Sequence, residues 1–151
     1  MHTTLIKKLV VSATLLLTME YTSIAFSHTQ IGSLTAAVSA TDVYAVTCSS
    51  LGTVPTDHLE AAIEDNAPVN PALLSVVVSR GNTAITSTDT SAVDGDLIYS
   101  PFVQLGGGNG VYTVFVNKTG ANPENYILAY HCKNSTGLVH TGTAIKILQN
   151  Q

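Results

Sequence analysis

Beyond residue 40, hydrophobic and polar positions alternate with period two along much of the chain. In residues 42–48, Tyr44, Val46 and Cys48 share one face, while Ala45 and Thr47 take the other. Tyr112, Val114 and Val116 alternate with Thr113, Phe115 and Asn117, and Tyr126, Leu128, Tyr130 and Cys132 alternate with Ile127, Ala129 and His131. Successive side chains of a strand point to opposite faces, so each run predicts a half-buried strand. Tyr44, Val46, Tyr112, Val114, Val116, Tyr126 and Leu128 should then be core, with Thr47, Thr113 and Asn117 facing solvent or an edge. Residues 73–79 are more continuously apolar, as in a strand partly covered on both faces. Residues 59–64 fit a strand through Leu59, Ala61 and Ile63, or one helical turn through Leu59, Ala62 and Ile63; the strand is preferred.

Turn-forming clusters separate these runs at 80–82, 94–96, 106–110, 119–125 and 134–137. Pro68 and Pro71 bar the stretch between them from a central strand and mark a loop. Strands at this spacing, with no long amphipathic helix, predict an all-β fold: a single jelly-roll-like antiparallel β-sandwich. There is no internal repeat and no linker.

The first 27 residues break the alternation. Lys7 and Lys8 precede an apolar run over 9–19 that only Ser12, Thr14 and Thr18 interrupt, and Glu20 ends it. Small residues permit cleavage after Ala25 or after Ser27, the pattern of a signal peptide. The run falls short of the roughly 20 residues that cross a bilayer. Residues 1–27 therefore read as a signal peptide and 28–151 as one secreted or periplasmic domain, with no membrane span after cleavage. Removing Lys7, Lys8 and Glu20 leaves four basic and nine acidic residues, a formal charge of −5. With that charge and no basic cluster, nucleic acid is excluded as a partner. An even pair of cysteines in an oxidising compartment is most simply one disulfide, Cys48–Cys132, and both fall in phase with the core faces of their strands.

Asp42-Val43-Tyr44-Ala45-Val46 resembles the D-x-Y-x-(F/V) strand near the start of bacterial pre-peptidase C-terminal domains. Residues 110–116, Gly-Val-Tyr-Thr-Val-Phe-Val, are similar to their late G-x-Y-x-V-x-V strand, and Asn125-Tyr126-Ile127-Leu128 to their closing N-Y-x-L strand. Order and approximate spacing agree across residues 42–132. The resemblance implies a small exported jelly-roll-like sandwich, of a kind often appended to secreted enzymes and sometimes acting as a binding module. The disulfide, the segment after Cys132 and the lack of an attached peptidase depart from that pattern.

No arrangement of Ser, His and Asp selects a catalytic triad, and there is no G-x-S-x-G elbow, so the chain reads as a non-enzyme. The glycine-rich run at 106–110 enters a strand and lacks the Lys and Ser/Thr of a phosphate cradle; it reads as a flexible inter-strand loop. Asp89, Asp94 and Asp96 surround an Asp-Gly turn and offer hard oxygen ligands to calcium. His28 becomes the N-terminus if cleavage follows Ser27, and its free amine and imidazole would then form a chelate suited to copper. His131 and His140 flank the turn between two late strands and are the candidate further ligands. No cofactor is required by the sequence; copper and calcium are the metals its residues suggest. Partners left open are an extracellular or periplasmic protein, a glycan or a metal ion. The absence of Trp argues against an aromatic platform for carbohydrate.

Overall fold

The computed structural model describes residues 28–67, 71–91 and 93–151. The signal-peptide assignment and most of the Pro68–Pro71 loop fall outside them. Nine strands form among the described residues: β1 (Thr29–Leu34), β2 (Thr41–Ser49), β3 (His58–Asn66), β4 (Leu74–Arg80), β5 (Thr83–Thr88), β6 (Val103–Gly106), β7 (Gly110–Lys118), β8 (Glu124–Lys133) and β9 (Gly142–Gln149). They build an all-β sandwich of two antiparallel sheets, ordered β1-β8-β3-β6 and β5-β4-β7-β2-β9. Only the β4–β5 hairpin keeps consecutive strands in one sheet; every other connection crosses between layers. Residues 59–64 are strand, settled by pairing: β3 lies between β6 and β8, where a helical turn could not hydrogen-bond to both.

The alternation in the sequence sets the layers. Tyr44, Val46, Tyr112, Val114, Val116, Tyr126 and Leu128 are all buried between the sheets, whereas Thr47 is exposed and Thr113 and Asn117 are half-buried. Cys48 of β2 and Cys132 of β8 form a disulfide with 5.5 Å between Cα atoms, a covalent tie from one sheet to the other. Further along the same two strands a buried polar chain makes a second tie. Tyr44 and Tyr126 share a hydroxyl hydrogen bond, and the Tyr126 hydroxyl donates to Asp42. The Asp42 carboxylate also accepts from the backbone N–H of Gln151 at 2.7 Å. Asp42, Tyr44 and Tyr126 thus satisfy one another: a buried carboxylate needs donors, and a buried phenol needs an acceptor. Gly32 is part of this arrangement. A Cβ there would lie 2.2 Å from Cζ of Tyr126, so β1 can pair with β8 only because position 32 carries no side chain.

Candidate functional site

The candidate ligands gather at the two ends of the face formed by strands β1, β3 and β8. β8 runs from Glu124 to Lys133, and antiparallel β3 sets Asn66 against Asn125 and His58 against Lys133. One end of this sheet is acidic and the other is rich in histidine.

At the histidine end, the carbonyl of His28 accepts a hydrogen bond from the Tyr130 N–H at 3.0 Å, which fixes residue 28 beside β8. The His28 ring lies 6.1 Å from that of His131, edge to face, and His131 stacks on His140 at 4.8 Å with 8° between planes. His140 reaches this position because the β8–β9 turn closes tightly: it bridges Lys133, and the Thr141 N–H donates to the Cys132 carbonyl at 2.8 Å. Phe102 covers His131 from another side at 6.3 Å. The Nδ1 atoms of His28 and His131 are buried and have no hydrogen-bond partner among the described residues. Burial, with the neighbouring His140, Lys133 and His28, pushes the His131 pKa down to about 4, against a smaller opposing pull from Glu60. His140 is shifted down by burial, Lys133 and His28, again against Glu60. Near neutral pH His131 is thus a neutral imidazole, the form that binds metals. Glu60 itself is held by Lys133 at 2.7 Å and Gln104 at 3.0 Å. His58 pairs with Asp57 at 3.0 Å.

At the acidic end, the three Asp residues of the 89–96 stretch separate by role. Asp89 accepts from the backbone N–H of Asp65 at 2.9 Å and of Ser91 at 3.0 Å, tying the loop after β5 to the end of β3. Asp96 accepts from the Ser91 hydroxyl at 2.6 Å and the Ile98 N–H at 2.8 Å, closing the loop on itself. Asp94 joins a different group: its carboxylate lies with those of Asp65 and Glu124, ligand atoms all within 4.8 Å of one another. Gly95 makes this approach possible. It sits at φ 71°, a conformation that glycine adopts freely, and donates its N–H to the Asp65 carbonyl at 2.8 Å. Burial, then Asp94, Glu124 and Asp89, raise the Asp65 pKa to about 7. Glu64, on the other face of β3, is raised by burial and by Asp96 and Asp89.

Asp65 and Glu124 were not singled out in the sequence, although a signal was there. Both continue a core-facing alternation, Leu59-Ala61-Ile63-Asp65 and Glu124-Tyr126-Leu128, and a carboxylate in phase with a core is anomalous unless something compensates it. The glycine-rich run connects β6 to β7. Its Gly107 and Gly108 N–H groups donate to the Asp57 carbonyl, while Arg80 donates to the carbonyls of Gly108 and Asn109 and lies over the Tyr112 ring. Those amide donors are therefore already engaged.

No family model, curated protein or solved structure matches the chain. The class its fold defines is a disulfide-bridged, all-β sandwich, and among the described residues no helix is long and apolar enough to cross a membrane.

Proposed function

We propose that this chain is an exported, non-enzymatic binding sandwich whose histidine end takes up copper(II). The supporting observation is the gathering of His28, His131 and His140, with the Nδ1 atoms of His28 and His131 buried and unpartnered. A buried polar nitrogen with no partner costs stability unless something fills its lone pair, and an uncharged imidazole suits a late first-row metal. In an N-terminal histidine, amine and Nδ1 close a six-membered chelate ring on one ion. Cleavage after Ser27 would create that amine beside β8. His131 is then the second ligand, and His140 orients it by stacking. The resemblance to pre-peptidase C-terminal domains fits the same class, a small exported module with no chemistry of its own.

N-terminal sequencing of the exported protein, followed by copper(II) titration with electron paramagnetic resonance, tests the reading. A start at His28 and nitrogen-ligated copper that is largely lost in His28→Ala is the expected result. A mature start at Phe26, or equal copper affinity in the variant, overturns copper binding.

A further inference from the structure

The acidic end carries a second and independent metal chemistry. Oxygens bound about 2.4 Å from one calcium ion can lie at most about 4.8 Å apart, and the carboxylate oxygens of Asp65, Asp94 and Glu124 meet that limit. Proximity of acids alone proves nothing, because carboxyls also cluster by sharing protons. The decisive feature is Asp65. It is only 5% exposed, it points into the cluster, and its Oδ1 has no hydrogen-bond partner among the described residues. Its charged form is opposed by burial and by three neighbouring carboxylates, and is helped only by a backbone hydrogen bond from Asn66. Among the described residues no side-chain cation offsets the charge of Asp65 itself.

We infer that Asp65, Asp94 and Glu124 form a calcium site that locks the loop after β5 onto the ends of β3 and β8. The donor set is all oxygen, which selects a hard cation over copper or zinc. It is built partly on a loop, and the irregular, expandable shell of calcium tolerates this better than the strict octahedron of magnesium. Asp89 and Asp96 act here as positioning residues: one holds the Asp65 backbone, and the other closes the turn that presents Asp94.

The test uses the mature chain freed of metal with EDTA, then titrated with calcium chloride while heat of binding and thermal unfolding are followed. At calcium about 100-fold above Kd, Tm should rise by roughly 5–10 °C. Asp65→Asn removes a repelled carboxylate and should fold well without metal, yet lose this response. Asp94→Asn, on the loop, should weaken calcium binding by roughly tenfold or more. His131→Ala should leave the calcium response intact, so that failure at either end is read separately. No rise in Tm up to about 10 mM calcium, beyond the range of extracellular calcium modules, would overturn the inference, as would wild-type responses in both acidic variants; either result would leave the acids as a proton-sharing cluster.

Discussion

The two ends of the β1-β8-β3 face are made from the same strands, yet they handle buried ionisable groups in opposite ways. At the histidine end burial favours the unprotonated base, with the His131 pKa pushed down to about 4; at the acidic end it favours the protonated acid, with the Asp65 pKa raised to about 7. One cause governs both, since burial disfavours whichever form is charged. The means of holding the two ends differ as well. The histidine end sits next to the Cys48–Cys132 bridge, while the acidic end relies on backbone N–H groups that donate to the carboxylates of Asp89 and Asp96. Rigidity near the histidines is thus covalent, and at the acids it is electrostatic and open to change by a cation.

The largest expected effect comes from removing the covalent tie. With the cysteines 84 positions apart in the sequence, loss of the bridge should cost about 4–5 kcal/mol in the chain-entropy model. Urea unfolding of the reduced protein, or of the Cys48→Ala, Cys132→Ala double variant, measures it. The histidine end should suffer first, with copper uptake falling more than any calcium response. Alkylation and intact mass of the untreated protein should find no free thiol.

Next in size are changes at the middle of the sandwich, which set a reference for both ends. Val114→Ala should cost about 1–3 kcal/mol and Thr113→Ala no more than about 0.5, because the first side chain is fully buried and its neighbour faces the other way. Gly32→Ala should cost about 1–3 kcal/mol, since Tyr126 is held by Asp42 and Tyr44 and cannot swing away from a new Cβ. Equal losses for Val114→Ala and Thr113→Ala would show the strand register to be wrong.

These reference positions were also the legible part of the molecule. Central strands β2, β7 and β8 announce themselves because one face is apolar and the other is not, and the bridge followed from the phase of Cys48 and Cys132. Strands β1, β5, β6 and β9 did not. β5 reads Thr-Ala-Ile-Thr-Ser-Thr and β9 alternates weakly, as edge strands do when neither face is fully covered. The histidine grouping was partly visible, since His131 and His140 flank one turn; that His28 lies beside them depends on β1 pairing with β8. The acidic group was hidden because Asp65, Asp94 and Glu124 are far apart in sequence and only the sandwich brings them together. Proximity in the chain pointed instead to Asp89, Asp94 and Asp96, of which only Asp94 joins the group while the carboxylates of Asp89 and Asp96 hold the loop.

A smaller effect concerns pH, measured on metal-free protein. Between about pH 4 and 7 the folded state retains a proton on Asp65 that the unfolded chain releases, so this group makes stability fall as pH rises. Over about pH 4 to 6.5 the unfolded chain holds a proton on His131 that the folded state lacks, so this group makes stability rise with pH. Glu64 adds to the first trend and His140 to the second. Each group can contribute at most about 1.4 kcal/mol per pH unit, and the two ends should largely cancel. Asp65→Asn should therefore shift the slope of Tm against pH upward, and His131→Asn should shift it downward. Slopes moving in the same direction in both variants would dissolve the contrast between the ends.

The smallest effect is expected at His140, and it sharpens what the histidine end is. If His28 chelates copper and His131 completes the site, His140 acts through its ring stacked on His131 at 4.8 Å and not as an essential donor. His140→Ala should then lower copper affinity only a fewfold, whereas His131→Ala should lower it far more. His140→Phe offers the separating measurement, because it keeps a flat ring against His131 but supplies no nitrogen. Near-normal affinity in His140→Phe, with a copper spectrum unchanged in its nitrogen couplings, is the outcome a positioning role requires. A loss in His140→Phe as deep as that in His131→Ala would make His140 a ligand in its own right and the histidine end a three-imidazole site.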